Sequence, residues 1–258
     1  MRTLKLTLAY DGTGYAGWQR QAGAETIQAL VETALQPLEG RAVTVHGAGR
    51  TDAGVHALGQ VASVRLAHPI GVDALPRALN ANLPPAVRVL GAEEVGDRFH
   101  ARFDARGKVY RYRLAAGDVA HPLDLRYAWH VPQPLDVAAM RAAGALLEGR
   151  HDFAAFQAAA GEAATVSTVR CIAALRIAPE PTPDWRAAAG GGELIGIEVR
   201  GDGFLRHMVR AIVGTLVEVG SGRRDAAGVA AALASRSRGQ AGPTAPARGL
   251  FLVRVDYH

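Results

Sequence analysis

With 258 residues, 49% of them hydrophobic, and a formal charge of +5, the chain is long and apolar enough to fold around a core, which excludes a disordered polyelectrolyte. Its one cysteine, Cys171, excludes an internal disulfide framework or a cysteine-built zinc site. No apolar run approaches the roughly 20 residues of a membrane span and no signal-peptide core opens the sequence, so the expected setting is the cytoplasm. The 29 basic residues include only Lys5 and Lys108 as lysines, leaving 29 − 2 = 27 arginines; these suit a nucleic-acid partner, although a biased genomic composition explains the skew as well.

Leu4, Leu6, Leu8 and Tyr10 alternate with Thr3, Lys5, Thr7 and Ala9, which predicts a half-buried strand. A Gly-rich loop follows from Asp11 to Gly17. Thr26 is placed to cap a helix whose Ile27, Leu30, Val31, Ala34, Leu35 and Leu38 share one face. A short strand at Val43 and Val45, a second Gly-rich loop, a strand over Val61–Leu66, a helix over Asp73–Asn80 and a strand over Val87–Val95 complete a β-α-β-β-α-β order. From Gly107 the order repeats: a strand at Val109–Leu114, a helix at Leu135–Leu147, strands at Val169–Ile177 and Leu194–Val199, a long helix and a final strand. The fold class expected is therefore α+β, in two units spanning 1–105 and 106–258 with a cleft between them. Surface loops are expected at Pro179–Gly192 and Gly239–Gly249.

The densest chemical run is Gly47-Ala48-Gly49-Arg50-Thr51-Asp52-Ala53-Gly54-Val55-His56. Glycines let the backbone turn sharply and approach a ligand, and Arg50 beside Asp52 favours an ionised carboxylate able to act as nucleophile or base. On spacing alone, a tight turn in which Asp52 caps locally and pairs with Arg50 is the simpler reading.

Identity over the whole run changes that balance. GAGRTDAGVHALGQVA resembles the signature of the TruA family of tRNA pseudouridine synthases. Similar to the family, and in its order, are YDGTGYAGWQRQ (Tyr10–Gln21), NANLP (Asn80–Pro84), FHARFDARGKVYRYRL (Phe99–Leu114), DFAAF (Asp152–Phe156), GFLRHMVRAIVGTLVEVG (Gly203–Gly220) and GLFLVRVDY (Gly249–Tyr257). The resemblance implies the pseudouridine synthase fold and isomerisation of uridine at positions 38, 39 and 40 of the tRNA anticodon stem-loop. It implies no cofactor, metal or small-molecule cosubstrate, no membrane partner, and a homodimer. Asp52 would be the nucleophile, adding to sugar or base or forming a glycal, on a nucleotide flipped from its stack. Arg50 would help displace that nucleotide and steer phosphate. Tyr110 would stack on the uracil and relay a proton, Arg210 would pair with Asp52, and Leu250 would pack near the base.

Without the resemblance, Tyr110 reads as an ordinary strand aromatic and Leu250 as the start of a strand. Arg206 and Arg210 lie four apart, as do Phe204, Met208, Ile212 and Leu216, so both arginines are expected on one helix face, where Arg206 also reaches RNA. His56, inside a segment similar to the family, is a further candidate RNA contact, although a packed or hydrogen-bonded histidine is the simpler reading. The stretch Gly161–Arg170 follows the family loosely and Pro179–Gly192 carries no functional signal. Two rivals remain. A non-catalytic RNA-binding module would tolerate Asp52→Asn. A metal- or acid-dependent hydrolase needs a second carboxylate, for which Asp104 and Asp202 are available.

Overall fold

The computed structural model describes residues 1–158, 167–181 and 192–257, so most of Gly161–Arg170 and Pro179–Gly192 lies outside the described residues. The chain divides into two compact units, Met1–Lys108 with Phe251–His258, and Val109–Leu250.

Unit 1 follows the order the sequence predicts: β1 (Arg2–Tyr10), α1 (Ile27–Glu39), β2 (His46–Gly47), β3 (His56–Leu66), α2 (Leu75–Asn80) and β4 (Val87–Val95). The alternation of β1 holds, with Leu4, Leu6 and Leu8 fully buried. β1 runs antiparallel to β3 and to β4, with Leu6 opposite Ala62 on one side and Ala92 on the other. β10 (Leu250–Asp256) joins this sheet parallel to β3, setting Phe251 opposite His56 and Leu252 opposite Ala57.

Thr26 caps α1 as expected, its side chain accepting from Ala29 N, while Gly40 ends the helix at φ 68°. The expected strand at Val43–Val45 sits slightly later, at His46–Gly47. β3 begins at His56 rather than Val61; its first five residues include the exposed Leu58 and two small residues, Ala57 and Gly59, which dilute the strand pattern.

Unit 2 contains β5 (Gly107–Ala116, from Val109 on), β6 (Trp129–Val131), α3 (Val137–Ala145), β7 (Gly149–Asp152), β8 (Val169–Pro179), β9 (Glu193–Gly201), α4 (Met208–Gly220) and α5 (Ala226–Ser235). Its strands lie in the order β5-β9-β8-β7, with β6 parallel beside β5. α3, capped by Asp136, packs against α4, α5 and β8.

Two expectations fail here. α5 is an additional helix: its alanines give no amphipathic stripe, although Asp225 caps it by accepting from Gly228 N. The long helix starts at Met208, because His207 takes a left-handed φ of 61°. Phe204 and Arg206 therefore precede it in a loop, and the four-residue spacing of Arg206 and Arg210 places them on no common helix face. Among the described residues, no helix is long and apolar enough to cross a membrane.

Candidate active site

In unit 1, Asp52 sits on a four-residue turn closed by Val55 N donating to the Asp52 carbonyl at 3.1 Å, with Gly54 at φ 75° as the residue that permits it. The turn rests on the preceding Gly-rich loop. Trp18 N donates to the Thr51 carbonyl at 3.0 Å, and Gly54 N donates to the Tyr15 carbonyl at 3.3 Å.

Side-chain-free positions make this contact possible. A methyl on Gly17, itself at φ 90°, would come to 2.5 Å of the Thr51 oxygen. One on Gly12 would overlap the Val55 carbonyl, and one on Gly47 would strike the Trp18 ring. The two Gly-rich loops are thus one construction, main chain against main chain.

Beneath the turn lies a buried polar cluster. Tyr10 and Thr51 share a hydroxyl–hydroxyl bond of 2.8 Å, and Gln60 donates to the Gly49 carbonyl at 2.8 Å and to the Tyr10 hydroxyl at 3.3 Å. Burial pushes the Tyr10 phenol up to about 12, with the Thr51 and Gln60 bonds acting the other way, so Tyr10 is a neutral anchor at physiological pH. Thr51 is buried while Asp52 is half-buried, so the turn presents the carboxylate with its neighbour held in the core. Lys108 lies over Gly49, where a methyl would come to 3.2 Å of its ammonium; this places a cation beside the loop.

His56 is 1% exposed and stacked on Phe251 at 4.7 Å between ring centroids, which makes it a packed support under the loop, the simpler of its two readings, rather than a residue open to RNA. Gly12 N donates to His56 Nδ1 at 3.0 Å, and Asp11 Oδ1 lies 3.1 Å from the same nitrogen. One ring nitrogen cannot accept from the first and donate to the second at once. The amide can only donate, so Nδ1 is the acceptor and Asp11 Oδ1 instead takes the Thr13 amide at 3.0 Å. Arg50 is exposed, and its Nε donates to Gln19 Oε1 at 3.0 Å rather than to the carboxylate two residues on.

In unit 2, the buried Tyr110 on β5 meets Phe204 edge-on at 5.1 Å and 83°. Tyr112, two residues along, donates its hydroxyl to the Pro246 carbonyl at 2.7 Å. Burial raises the Tyr112 phenol well above its ordinary value, countered in part by the Arg210 and Arg248 charges. Arg210, in the first turn of α4, donates its Nε to the Ala245 carbonyl at 2.7 Å, and Ala245 N returns a bond to the Arg210 carbonyl at 3.1 Å.

Further along the helix, Gly242 N donates to Thr215 Oγ1 at 2.8 Å, and Gly214 has no room for a methyl beneath the Pro243 carbonyl. Gly249 packs flat on the Tyr112 ring, and the buried Leu250 follows at the head of β10. The segment from Ala241 to Leu250 therefore ties Arg210, Tyr112 and Leu250 into one part of unit 2. Arg206 is exposed in the loop before α4.

A family model described as tRNA pseudouridine synthase matches residues 7–104 and 143–258. The chain belongs to the tRNA pseudouridine synthase family. It is 48% identical over its whole length to all of a protein named tRNA pseudouridine synthase A from Moorella thermoacetica. The figures are 45%, over the whole of both chains, for the protein of that name from Solibacter usitatus, and 48%, over this whole chain and 92% of the relative, for that from Myxococcus xanthus. The family match takes in Arg50, Asp52, His56, Arg206, Arg210 and Leu250; Tyr110 falls between its two stretches and within the full-length likenesses. Sequence reasoning missed the residues that hold the Asp52 turn, Tyr10, Thr51, Gln60 and Lys108. Tyr10 and Gln60 border the Gly-rich runs and Thr51 lies within one, whereas Lys108 carries no such signal.

Proposed function

We propose that this protein isomerises uridine to pseudouridine in tRNA, at positions 38, 39 and 40 of the anticodon stem-loop, with Asp52 as the nucleophile. The observation that carries this reading is the Asp52 turn: a half-buried carboxylate on a main chain fixed by a second loop and by the buried Tyr10–Thr51–Gln60 cluster. A carboxylate so held can meet C1′ of the ribose or C6 of the uracil without the loop reorganising, which is how positioned groups lower a barrier. The isomerisation conserves every atom: the N1–C1′ bond breaks, the uracil turns, C5 bonds to C1′, and the proton on C5 leaves to solvent while N1 gains one. No cosubstrate has to supply anything.

The target base must leave its stack to reach Asp52. Tyr110 stacks on it and relays the proton lost from C5; Arg210 pairs with the Asp52 carboxylate and Leu250 packs against the uracil. Arg50 and Arg206, both exposed, meet the phosphates and hold the helix open, and Lys108 adds a cation beside the loop. The protein works in the cytoplasm as a homodimer, with one tRNA crossing both subunits.

The test is release of tritium from tRNA carrying 5-tritiated uridine, in EDTA, for the unchanged protein and for Asp52→Asn. Release by the first alone supports C5-glycoside formation through Asp52. Binding without release by either makes the protein a non-catalytic RNA binder.

A further inference from the structure

The structure assigns a positioning role to Gln19, Gln28 and Glu32: together they form a one-directional hydrogen-bond relay that holds the Arg50 guanidinium beside the Asp52 turn. This deepens the proposed function and rests on its reading of Arg50.

The relay runs from the surface into unit 1. Arg50 Nε donates to Gln19 Oε1 at 3.0 Å, Gln19 Nε2 to Gln28 Oε1 at 2.8 Å, and Gln28 Nε2 to Glu32 Oε1 at 2.9 Å. Glu32 and Gln28 are both buried, in the first two turns of α1. Their remaining capacity is filled. Gln28 Oε1 also accepts from Arg20 N at 2.9 Å and its Nε2 donates to the Val45 carbonyl at 3.1 Å; Glu32 accepts from Val45 N at 3.1 Å and from Arg20 Nε at 2.7 Å.

The direction is set by chemistry. A carboxylate only accepts, so Gln28 must turn its NH2 to Glu32 and its oxygen to Gln19. That forces Gln19 to turn its own NH2 inward and its oxygen outward, onto Arg50. Either amide reversed would set donor against donor at one end and oxygen against oxygen at the other. Glu32, three bonds away, thereby decides that the group facing Arg50 is an acceptor.

An exposed arginine otherwise samples many rotamers, and fixing its Nε leaves the two terminal NH2 groups pre-aimed for a phosphate or a displaced base. Neither Gln19 nor Gln28 belongs to the Gly-Arg-Thr-Asp run, so through this relay α1 reaches Arg50 by side chains, beside the main-chain bonds of Ile27 N to the Gly17 carbonyl and Gln28 N to the Trp18 carbonyl at 3.1 and 3.0 Å.

The relay is tested with Gln19→Ala, Gln28→Ala and Glu32→Gln, each alone and combined with Arg50→Ala, reading kcat and KM for tritium release, the Kd for tRNA and the thermal midpoint. Gln19 is only half-buried, so Gln19→Ala keeps the fold and is the decisive variant. The expected result is a loss of about tenfold in kcat for each single variant with Kd for tRNA within about twofold, and no further loss in the Arg50→Ala background. An unchanged kcat for Gln19→Ala overturns the relay, as does the same fractional loss with and without Arg50, which is the mark of a merely structural role. If Arg50→Ala itself turns over at the full rate, the role of Arg50 falls and the relay with it. In each of these cases, tritium release by the unchanged protein leaves the isomerase reading standing.

Discussion

The Asp52 turn of unit 1 and the Ala241–Leu250 segment of unit 2 are both irregular stretches that hold candidate reacting groups, and they are built in opposite ways. The turn leans on another loop through glycines and buried hydroxyls and leaves its key side chain half-exposed. The segment is laced to a mostly buried helix and to a strand tyrosine, with Gly242, Ala245 and Gly249 buried. A loop braced by a loop can fail in place, whereas a loop laced to a core helix takes the helix with it. Damage near Asp52 should therefore show in turnover, and damage near Ala245 in stability.

The sharpest contrast is chemical. Asp52→Asn changes charge without changing shape, and kcat is expected to drop by about a thousandfold or more while the melting temperature holds, as single-turnover assays and calorimetry would show. Next come two glycines. Gly214→Ala, which drives a methyl into the Pro243 carbonyl, should cost about 2–3 kcal/mol in urea unfolding. Gly17→Ala should instead lower kcat about tenfold by shifting the Thr51–Asp52 main chain, with the smaller effect on unfolding. Equal effects of the two on stability would erase the distinction.

Tyr10→Phe removes the hydroxyl beneath the turn and should cost about 1–2 kcal/mol by denaturant titration, together with some turnover. It also carries a pH signature. The folded protein holds the Tyr10 proton more tightly than the unfolded chain does, so this contribution to stability is full below pH 10 and is lost as pH rises towards about 12. Unfolding free energies measured over that window should fall less steeply for the Phe variant. Tyr112→Phe is the mildest change: losing the bond to Pro246 should cost about 1 kcal/mol with kcat untouched.

How much of this was legible in the sequence follows the same division. Periodicity and caps revealed β1, α1 with Thr26, and β4, because each buries one face against a regular neighbour. The Asp52 turn stood out because glycines at close backbone contacts leave a mark in the letters. Hidden were features that depend on partners far along the chain. The left-handed His207 cut α4 short and took Arg206 off the helix, although nothing in Arg206-His207-Met208 announces a break. The Gln19–Gln28–Glu32 series was invisible because two amides and an acid become a relay only once α1 faces the loop. Tyr110, Arg210 and Leu250 were singled out by resemblance alone; on periodicity they are a strand aromatic, a helix arginine and a strand start.

The parallel pairing of β10 with β3 also sets a schedule for biosynthesis. On one edge of β3, His56 and Ala57, which follow directly on the Asp52 turn, pair with Phe251 and Leu252. A ribosome delivers the first pair long before the second, with all of Val109–Leu250 in between. Until Phe251 arrives, its ring is not yet stacked on His56 and that edge of β3 stays open, so the nascent turn stands without this brace. A ribosome that stalls early therefore leaves behind a fragment whose Asp52 turn has its Gly-rich loop and the Tyr10–Thr51–Gln60 cluster but an unsealed sheet edge beside it.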